Sequence, residues 1–310
     1  MPRITNRRTF IRAAIGGAAG LSLYSDREFA LAQTASARIA TTRLSDNLFL
    51  LAGAGANVVA MTGASGVLMV DGGLAENASS LLAAVAALPG AGRVTTLFNT
   101  HWHPEHTGSN QTLGKAGATI VAHENTRLWM KTDIKRPWEN RTFMPVPSEA
   151  LPTKTFYTTG STTVDNERVE YGYMLQAHTD GDIYVFFPKP NVLVAGGVVS
   201  AEGWPLIDWW TGGWIGGLVS GLDTLLKVTN AETRVVPANG PLLGRADLQA
   251  QLEMYRTISQ RLQQLMRKGR SVSEALAAEP TKEFNGRMGN PETFVRRAFE
   301  SCWGQLSPDA

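Results

Sequence analysis

The stretch that decides the fold reads His-Trp-His-Pro-Glu-His and occupies residues 101–106. It holds three of the chain's five histidines and follows residues 94–98, an apolar and β-branched run that predicts a buried strand. In an extended segment, residues i and i+2 point the same way, so His101 and His103 converge on one side. The proline then bends the chain and turns the Glu and the third His back toward them. The cluster predicts a metal site rather than isolated core or surface histidines, and its ligand types favour zinc.

A second part of the chain offers a further ligand. His178 follows another predicted strand and enters a glycine turn in the run Ala-His-Thr-Asp-Gly-Asp. A catalytic zinc takes about three protein ligands and keeps one position open for water. His101, His103 and His178 would supply that set, which leaves Glu105 and His106 as donors beside it.

Composition sets the class of molecule. The chain has 310 residues, of which 43% are hydrophobic and 18% charged, and its formal net charge is +2. This is typical of a folded globular protein with a sizeable core. A nucleic-acid partner is not expected, because it would call for a basic stripe. The single cysteine, Cys302, falls in an apolar helical pattern and is interpreted as a core residue.

The first residues form a separate segment. Asn-Arg-Arg-Thr-Phe-Ile-Arg at 6–12 precedes an uncharged Ala/Gly-rich run, and Ala-Leu-Ala at 30–32 offers a cleavage site. The order predicts a twin-arginine export signal over residues 1–32 and a periplasmic location, in preference to a disordered basic tail. The run is too short to predict a membrane span. Residues 1–32 hold five of 29 basic and two of 27 acidic residues, which leaves 24 against 25.

Hydrophobic patterns then predict two similar halves, each with strands followed by helices, whose sheets stack with the helices outside. Residues 132–152, with four prolines, are interpreted as a surface loop. The predicted strands are 47–51, 57–61, 66–70, 94–98, 119–122, 155–164, 168–176, 183–187, 192–195 and 234–236, and the predicted helices are 76–88, 109–115, 124–131, 214–227, 246–268, 272–278 and 292–303.

Three motifs together carry a family resemblance. They are His-x-His-x-Glu-His at 101–106, His-Thr-x-Gly-Asp at 178–182 and Val-Val-Pro-Ala-Asn-Gly-Pro at 235–241. In this series the chain resembles the metallo-β-lactamase superfamily over residues 43–305, C-terminal helices included. The resemblance implies an α/β fold, a four-layer αβ/βα sandwich with the metal site at one edge of the two sheets. It also implies hydrolysis of small esters, amides, thioesters, lactones or phosphoesters by a metal-bound hydroxide.

The resemblance also implies two metal sites, from which this sequence departs. His101, His103 and His178 match the first site, and Glu105 and His106 belong to the second. The family usually has Asp where Glu105 stands, a bridging Asp or Cys where Gly-Gly occupies 196–197, and His at the position of Asn239. An amide oxygen is a far weaker zinc ligand than imidazole. We therefore expect one firm zinc ion and a second site that is weak or empty.

Glu105 has two interpretations. Its extra methylene relative to Asp favours a general base or a ligand, and the alternative is a residue that only orients a histidine. The leading hypothesis is an exported zinc hydrolase of a small ester, lactone, thioester or amide. The alternatives are a non-catalytic metal-binding protein and an iron-dependent oxygenase on the same fold, since histidine and carboxylate also suit iron.

Several nearby residues receive supporting roles. The resemblance implies that Asp71, at the end of a predicted strand, lies near the site and buttresses the loop at 101–106. Asp182 is expected to bond a histidine or cap a turn. His123 is expected to be structural. Residues 204–214 hold four of the eight tryptophans, and either an apolar substrate wall or a packed contact fits them. Within that stretch, Gly-Gly at 212–213 is interpreted as a source of mobility.

Overall fold

The structure is a computed structural model that describes residues 38–136 and 140–306. The predicted export signal, residues 1–32, lies outside these ranges. None of the described helices is both long enough and apolar enough to cross a bilayer.

Two sheets and one separate hairpin make up the β-structure of the described residues. The first sheet has the strand order β1-β2-β3-β4-β5-β6-β9 and the second β10-β11-β12-β13-β14, while β7 and β8 pair only with each other. The strands are β1 (Ala40–Arg43), β2 (Leu48–Ala52), β3 (Val58–Gly63), β4 (Gly66–Val70), β5 (Val94–Phe98), β6 (Thr119–His123), β7 (Ile134–Arg136), β8 (Arg141–Phe143), β9 (Lys154–Phe156), β10 (Thr159–Val164), β11 (Glu167–Tyr173), β12 (Ile183–Phe187), β13 (Val192–Gly196) and β14 (Arg234–Pro237).

Each sheet begins antiparallel and ends parallel. Strands β1 to β4 and β10 to β13 form meanders, and β4, β5, β6 and β9 run parallel, as do β13 and β14. Parallel neighbours require crossovers, and helices provide them. The helices are α1 (Ala78–Ala86), α2 (Pro104–Thr107), α3 (Asn110–Lys115), α4 (Glu124–Met130), α5 (Ile215–Val228), α6 (Arg245–Arg267), α7 (Val272–Ala277), α8 (Asn285–Met288) and α9 (Glu292–Leu306).

Three apolar clusters hold the layers together. The cluster between the sheets combines side chains of β2 to β6 with side chains of β11 to β14, such as Phe98 and Val185. A second cluster joins the outer face of the first sheet to α1 and α3, and a third joins the second sheet to α5, α6 and α9. Full burial of one Leu, Ile, Val or Phe side chain contributes about 1.5–3 kcal/mol. The layers therefore run helix, sheet, sheet, helix, and the predicted αβ/βα sandwich is confirmed.

One edge of this sandwich collects the predicted motifs. The 101–106 run follows β5, His178 lies between β11 and β12, and residues 197 and 238–241 follow β13 and β14. The two sheets touch here, because the amide of Ile183 donates to the carbonyl of Thr100 at 2.8 Å. Residues far apart in sequence thus meet at a single edge.

Several segments differ from the prediction. Residues 132–152 were expected to form a surface loop, but they contain the β7–β8 hairpin, in which Arg136 is buried. The predicted strand 155–164 is two strands, β9 in the first sheet and β10 in the second, because the chain changes sheets after Phe156. In addition, β1 was not predicted. It is exposed along its whole length, so it carries no apolar alternation.

Candidate metal centre

Three imidazoles from two loops form the centre of the site. His101, His103 and His178 are each less than 5% exposed, and each offers a ring nitrogen within 4.8 Å of those of the other two. Their ring centroids lie 4.6 to 4.8 Å apart. The structure therefore brings together the three residues that the sequence grouped, although they come from loops more than 70 residues apart in the chain.

The protonation chemistry of these rings suits a metal ion. The buried Nδ1 atoms of His103 and His178 form no hydrogen bond. Burial lowers the pKa of His103 to about 4, although the hydrogen bond that His103 donates to Asp208 opposes this shift, and burial lowers the pKa of His101 well below its usual value. Metals bind the neutral form of imidazole. A buried nitrogen without a hydrogen-bond partner is costly, and coordination to a cation would satisfy it, so the donor set fits zinc.

A second group shares His101 with Glu105 and His106, whose ligand atoms also lie within 4.8 Å of one another. Glu105 is partly exposed, and its Oε1 lies 3.7 Å from Nδ1 of His103. Burial raises the pKa of Glu105, but the neighbouring imidazoles of His103 and His106 outweigh this and lower it overall. Glu105 is therefore a carboxylate at neutral pH, directed at both groups of ligands.

Asp71 holds His106 from behind, as the sequence predicted. Its Oδ2 lies 2.8 Å from Nδ1 of His106, and its Oδ1 accepts from the amide of Thr100 at 2.8 Å. Burial opposes protonation of His106, but the Asp71 carboxylate outweighs it, so the pKa of His106 is raised. Asp71 has φ 65°, a left-handed conformation that Asp tolerates better than most residues. The bonded Nδ1 leaves Nε2 of His106 for a ligand role.

Asp208 plays the same part behind His103, and the sequence analysis did not assign it a role. Its Oδ2 lies 2.9 Å from Nε2 of His103 and accepts from Nη2 of Arg136 at 2.6 Å. Burial raises the pKa of Asp208, but His103 and Arg136 reverse this and lower it well below its usual range. A carboxylate bound to the far nitrogen of a metal-ligating histidine orients its ring and increases its basicity. One signal was present in the sequence: Asp208 is the only acid in an aromatic stretch.

Arg136 reaches Asp208 from the β7–β8 hairpin. Its guanidinium lies 4.8 Å above the Trp102 ring and 4.9 Å from the Phe143 ring, and Nε1 of Trp102 donates to Thr211 at 3.1 Å. Removing one partner of a buried ion pair of this kind destabilises a protein by about 3–5 kcal/mol. The hairpin is thus connected through Asp208 to His103 in the 101–106 run.

The His178 ring leaves no room for a side chain at Gly197. A Cβ added to Gly197 would lie 2.5 Å from Nδ1 of His178, so the imidazole fills the space in which a bridging ligand would begin.

Asp182 accepts a hydrogen bond from the amide of Thr179 at 2.6 Å, and its Oδ1 lies 3.4 Å from Nδ1 of His178. Asp182 therefore caps the turn that carries His178.

The loop with Asn239 is held by the first sheet. Asn57, just before β3, donates through Nδ2 to the carbonyls of Pro237 and Gly240, both at 3.0 Å. With the side-chain amide of Asn239 oriented so that its nitrogen faces backbone carbonyls, that nitrogen donates to Ala238 and Gly55 at 3.2 and 3.1 Å. Only the oxygen of Asn239 is therefore available to a ligand.

The aromatic stretch 204–214 divides into two parts. Trp204 lines a cavity of about 170 Å³ together with His101, Glu105 and His178. The part around Gly213 packs closely, since a Cβ there would lie 2.1 Å from the carbonyl oxygen of His178. The amide of Asp208 also donates to that oxygen at 3.0 Å. The glycine pair therefore allows close contact of the two loops, which differs from the mobility proposed for it.

His123 and Cys302 were both expected to be structural, and their contacts and burial agree with that role. His123 caps α4, where its Nδ1 accepts from the amide of Asn125 at 3.2 Å, and its ring stacks on Tyr173 with centroids 3.8 Å apart. Cys302 is fully buried, and burial raises the pKa of its thiol to about 12. Neither residue belongs to the two groups of candidate ligands.

Comparison with known proteins identifies the family. The family model described as the metallo-beta-lactamase superfamily matches residues 52–253, which is more than half of the chain. The chain belongs to the metallo-β-lactamase superfamily, and the resemblance read from its motifs is confirmed. A search of curated protein sequences found no significant match.

Solved structures with this fold are distant in sequence. A metallo-beta-lactamase from Pontibacter korlensis is 18% identical, with a TM-score of 0.57, over 71% of this chain and 99% of that chain. The sec-alkylsulfatase Pisa1 from Pseudomonas sp. is 17% identical, with a TM-score of 0.67, over 88% of this chain. This chain spans about half of that sulfatase, since 52% of it is covered. At such identities the likeness concerns the fold alone.

The contact between Asp208 and His103 leads to a prediction about metal affinity. Asp208→Asn should weaken zinc binding by roughly 10- to 100-fold, because His103 loses the carboxylate that orients its ring. Zinc affinity can be measured by competition with a chromophoric chelator. Asp223→Asn is the matched control: it also breaks an Asp–Arg contact, with Arg256 at 3.4 Å, but on the outer helices.

Thermal melts of the metal-free proteins should accompany these measurements, because Asp208→Asn also weakens a buried ion pair. A variant that melts earlier but binds zinc as tightly as the parent would show that Asp208 only stabilises the fold.

Proposed function

We propose that this chain is a zinc-dependent hydrolase of a small ester, lactone, thioester or amide. One observation carries the proposal: the buried imidazoles of His101, His103 and His178 lie together beside a cavity that Glu105 lines. Nδ1 of His103 and Nδ1 of His178 form no hydrogen bond, and His101 and His178 line the same cavity as Glu105. His101, His103 and His178 would hold the ion. When bound there, zinc polarises a carbonyl and lowers the pKa of water to about 7. The metal identity and the substrate class are parts of the proposal.

The chain's own residues account for the remaining steps. Glu105 is ionised, partly exposed and close to His103, so it can accept a proton from the water that attacks the carbonyl. Trp204 and Leu206 line the cavity and provide an apolar wall for the substrate. Asp71 and Asp208 keep two of the imidazoles in place from behind. This arrangement supports hydrolysis at a carbonyl group.

We also propose that one ion binds firmly and that a second binds weakly. The second group lacks a side chain at Gly197, where the ring of His178 occupies the space. Asn239 offers only an amide oxygen, since its nitrogen is bonded to backbone carbonyls. Two strong donors, Glu105 and His106, remain besides the shared His101. Fewer strong donors mean weaker zinc binding.

Metal analysis tests this proposal directly. The purified protein should carry close to one zinc ion per chain and hydrolyse at least one substrate from a panel of chromogenic esters, thioesters, lactones and a cephalosporin. Chelation should abolish turnover, and one equivalent of zinc should restore it. Two tightly held ions would contradict the single-ion model. Zinc without turnover would favour a non-catalytic metal-binding protein, and iron with oxygen uptake would favour an oxygenase.

The role proposed for Glu105 predicts a separation of metal binding from turnover. Glu105→Gln should reduce kcat by roughly 100-fold or more, since general bases contribute about 10²- to 10⁴-fold. It should retain one zinc ion, because the three imidazoles remain. Zinc content and turnover are measured on the same sample, and Glu149→Gln, an exposed site, is the control. An unchanged kcat would indicate that Glu105 only orients a histidine.

Export to the periplasm remains a proposal that rests on the sequence of residues 1–32. Changing both Arg7 and Arg8 to Lys should retain the uncleaved protein in the cytoplasm of a bacterial host, because the twin-arginine pathway reads that pair. Fractionation and the mass of the N-terminal peptide measure the outcome. Unaltered appearance of a cleaved, periplasmic protein would contradict the proposal.

A further inference from the structure

We infer that the substrate of this site carries a positively charged group, such as an ammonium, on the part that extends away from the metal. The inference rests on the proposed function, because it concerns the same cavity. It follows from the shape and the charge of the surface beyond the three imidazoles.

The metal cavity and a larger groove share two lining residues. The cavity of about 170 Å³ and a neighbouring groove of about 800 Å³ are both lined by Glu202 and Asn239. The groove is also lined by Thr42 on β1, Leu50 on β2 and Asn57 just before β3. A substrate whose carbonyl lies at the imidazoles can place its other end beside Glu202, because Glu202 lines the metal cavity itself.

The charge along this path is negative. Among the described residues that line the cavity or the groove, Glu105 and Glu202 are carboxylates, and none is Lys or Arg. Glu202 is exposed and lines both spaces. The nearby Arg136 is only 5% exposed and is bonded to Asp208 behind His103, so it does not reach the cavity. A substrate anion would therefore meet no lysine or arginine side chain along this path.

An aromatic wall adds to this preference. Trp204 lines the cavity two residues after Glu202, and its indole stacks on Phe294 with centroids 4.5 Å apart and planes 18° apart. Its Nε1 donates to the carbonyl of Gly289 at 3.1 Å. These contacts hold the ring in place. A cation is attracted to the face of an indole, so the wall and the carboxylate favour the same ligand.

An anionic group would be disfavoured for two reasons. It would lose water without gaining a charged partner, which is costly. It would also approach Glu202, and like charges across a binding surface discriminate against a ligand. A neutral group would meet neither penalty and would gain nothing from Glu202. The expected order of preference is cation, then neutral group, then anion.

A binding experiment tests this order without relying on turnover. Three hydroxamic acids of equal chain length, ending in trimethylammonium, tert-butyl or carboxylate, are titrated into the zinc-loaded protein by calorimetry at low salt. Hydroxamates bind zinc directly, so the chain end is the variable. The Kd of the ammonium compound should be roughly 5- to 10-fold lower than that of the tert-butyl compound, with the carboxylate compound weakest. Raising the salt concentration should reduce these differences.

Glu202→Gln should bring the ammonium and tert-butyl compounds to within about twofold of each other. Glu232→Gln, at an exposed glutamate before β14 that lines neither space, should preserve the parent's ratio. Equal affinities in the parent, a preference for the carboxylate compound, or an unchanged ratio in Glu202→Gln would overturn the inference. Zinc-loaded protein that binds none of the three would contradict the proposed function, and the inference with it.

Discussion

Four imidazoles packed into one buried cluster are the constraint on which the rest of this structure depends. The ring centroid of His101 lies 4.2 to 4.7 Å from those of His103, His106 and His178. Protonated rings at such distances would repel one another and lose hydration, so burial keeps the pKa of His101 low. The cluster persists because the ends of both sheets meet at one edge, where the backbone of Ile183 bonds to that of Thr100.

Buried carboxylates on different sides of the cluster set the orientation of its rings. Asp71 reaches His106 from the end of β4, and Asp208 reaches His103 from the loop after β13. The loop that follows β13 thus supplies Asp208, which supports a ligand of the first group. At Gly197 the same loop supplies no donor to the second group. This asymmetry supports one firmly held ion. The same loop also brings Glu202 and Trp204 into the lining of the cavity.

The sequence predicted most of the fold, because most strands are short apolar runs bounded by glycine turns and the helices have clear periodicity. It failed where burial did not follow local pattern. The exposed strand β1 shows no alternation, and β9 and β10 read as a single strand because the change of sheet at residues 157–158 has no proline or glycine. The β7–β8 hairpin was read as a loop because prolines and charges surround it, and its buried Arg136 is unusual.

For the site, the sequence by itself determined the donor types and their grouping: the spacing of His101 and His103, the departure at Gly197, and the family. Only the tertiary structure decided that Asp208 and Arg136 stand behind His103. Asp208 lies 105 residues from His103, and Arg136 lies 72 residues from Asp208. Local spacing determines which side chains share a face of a strand or turn. Contacts between distant loops depend on how the sheets stack, and that follows from the packing of the whole core.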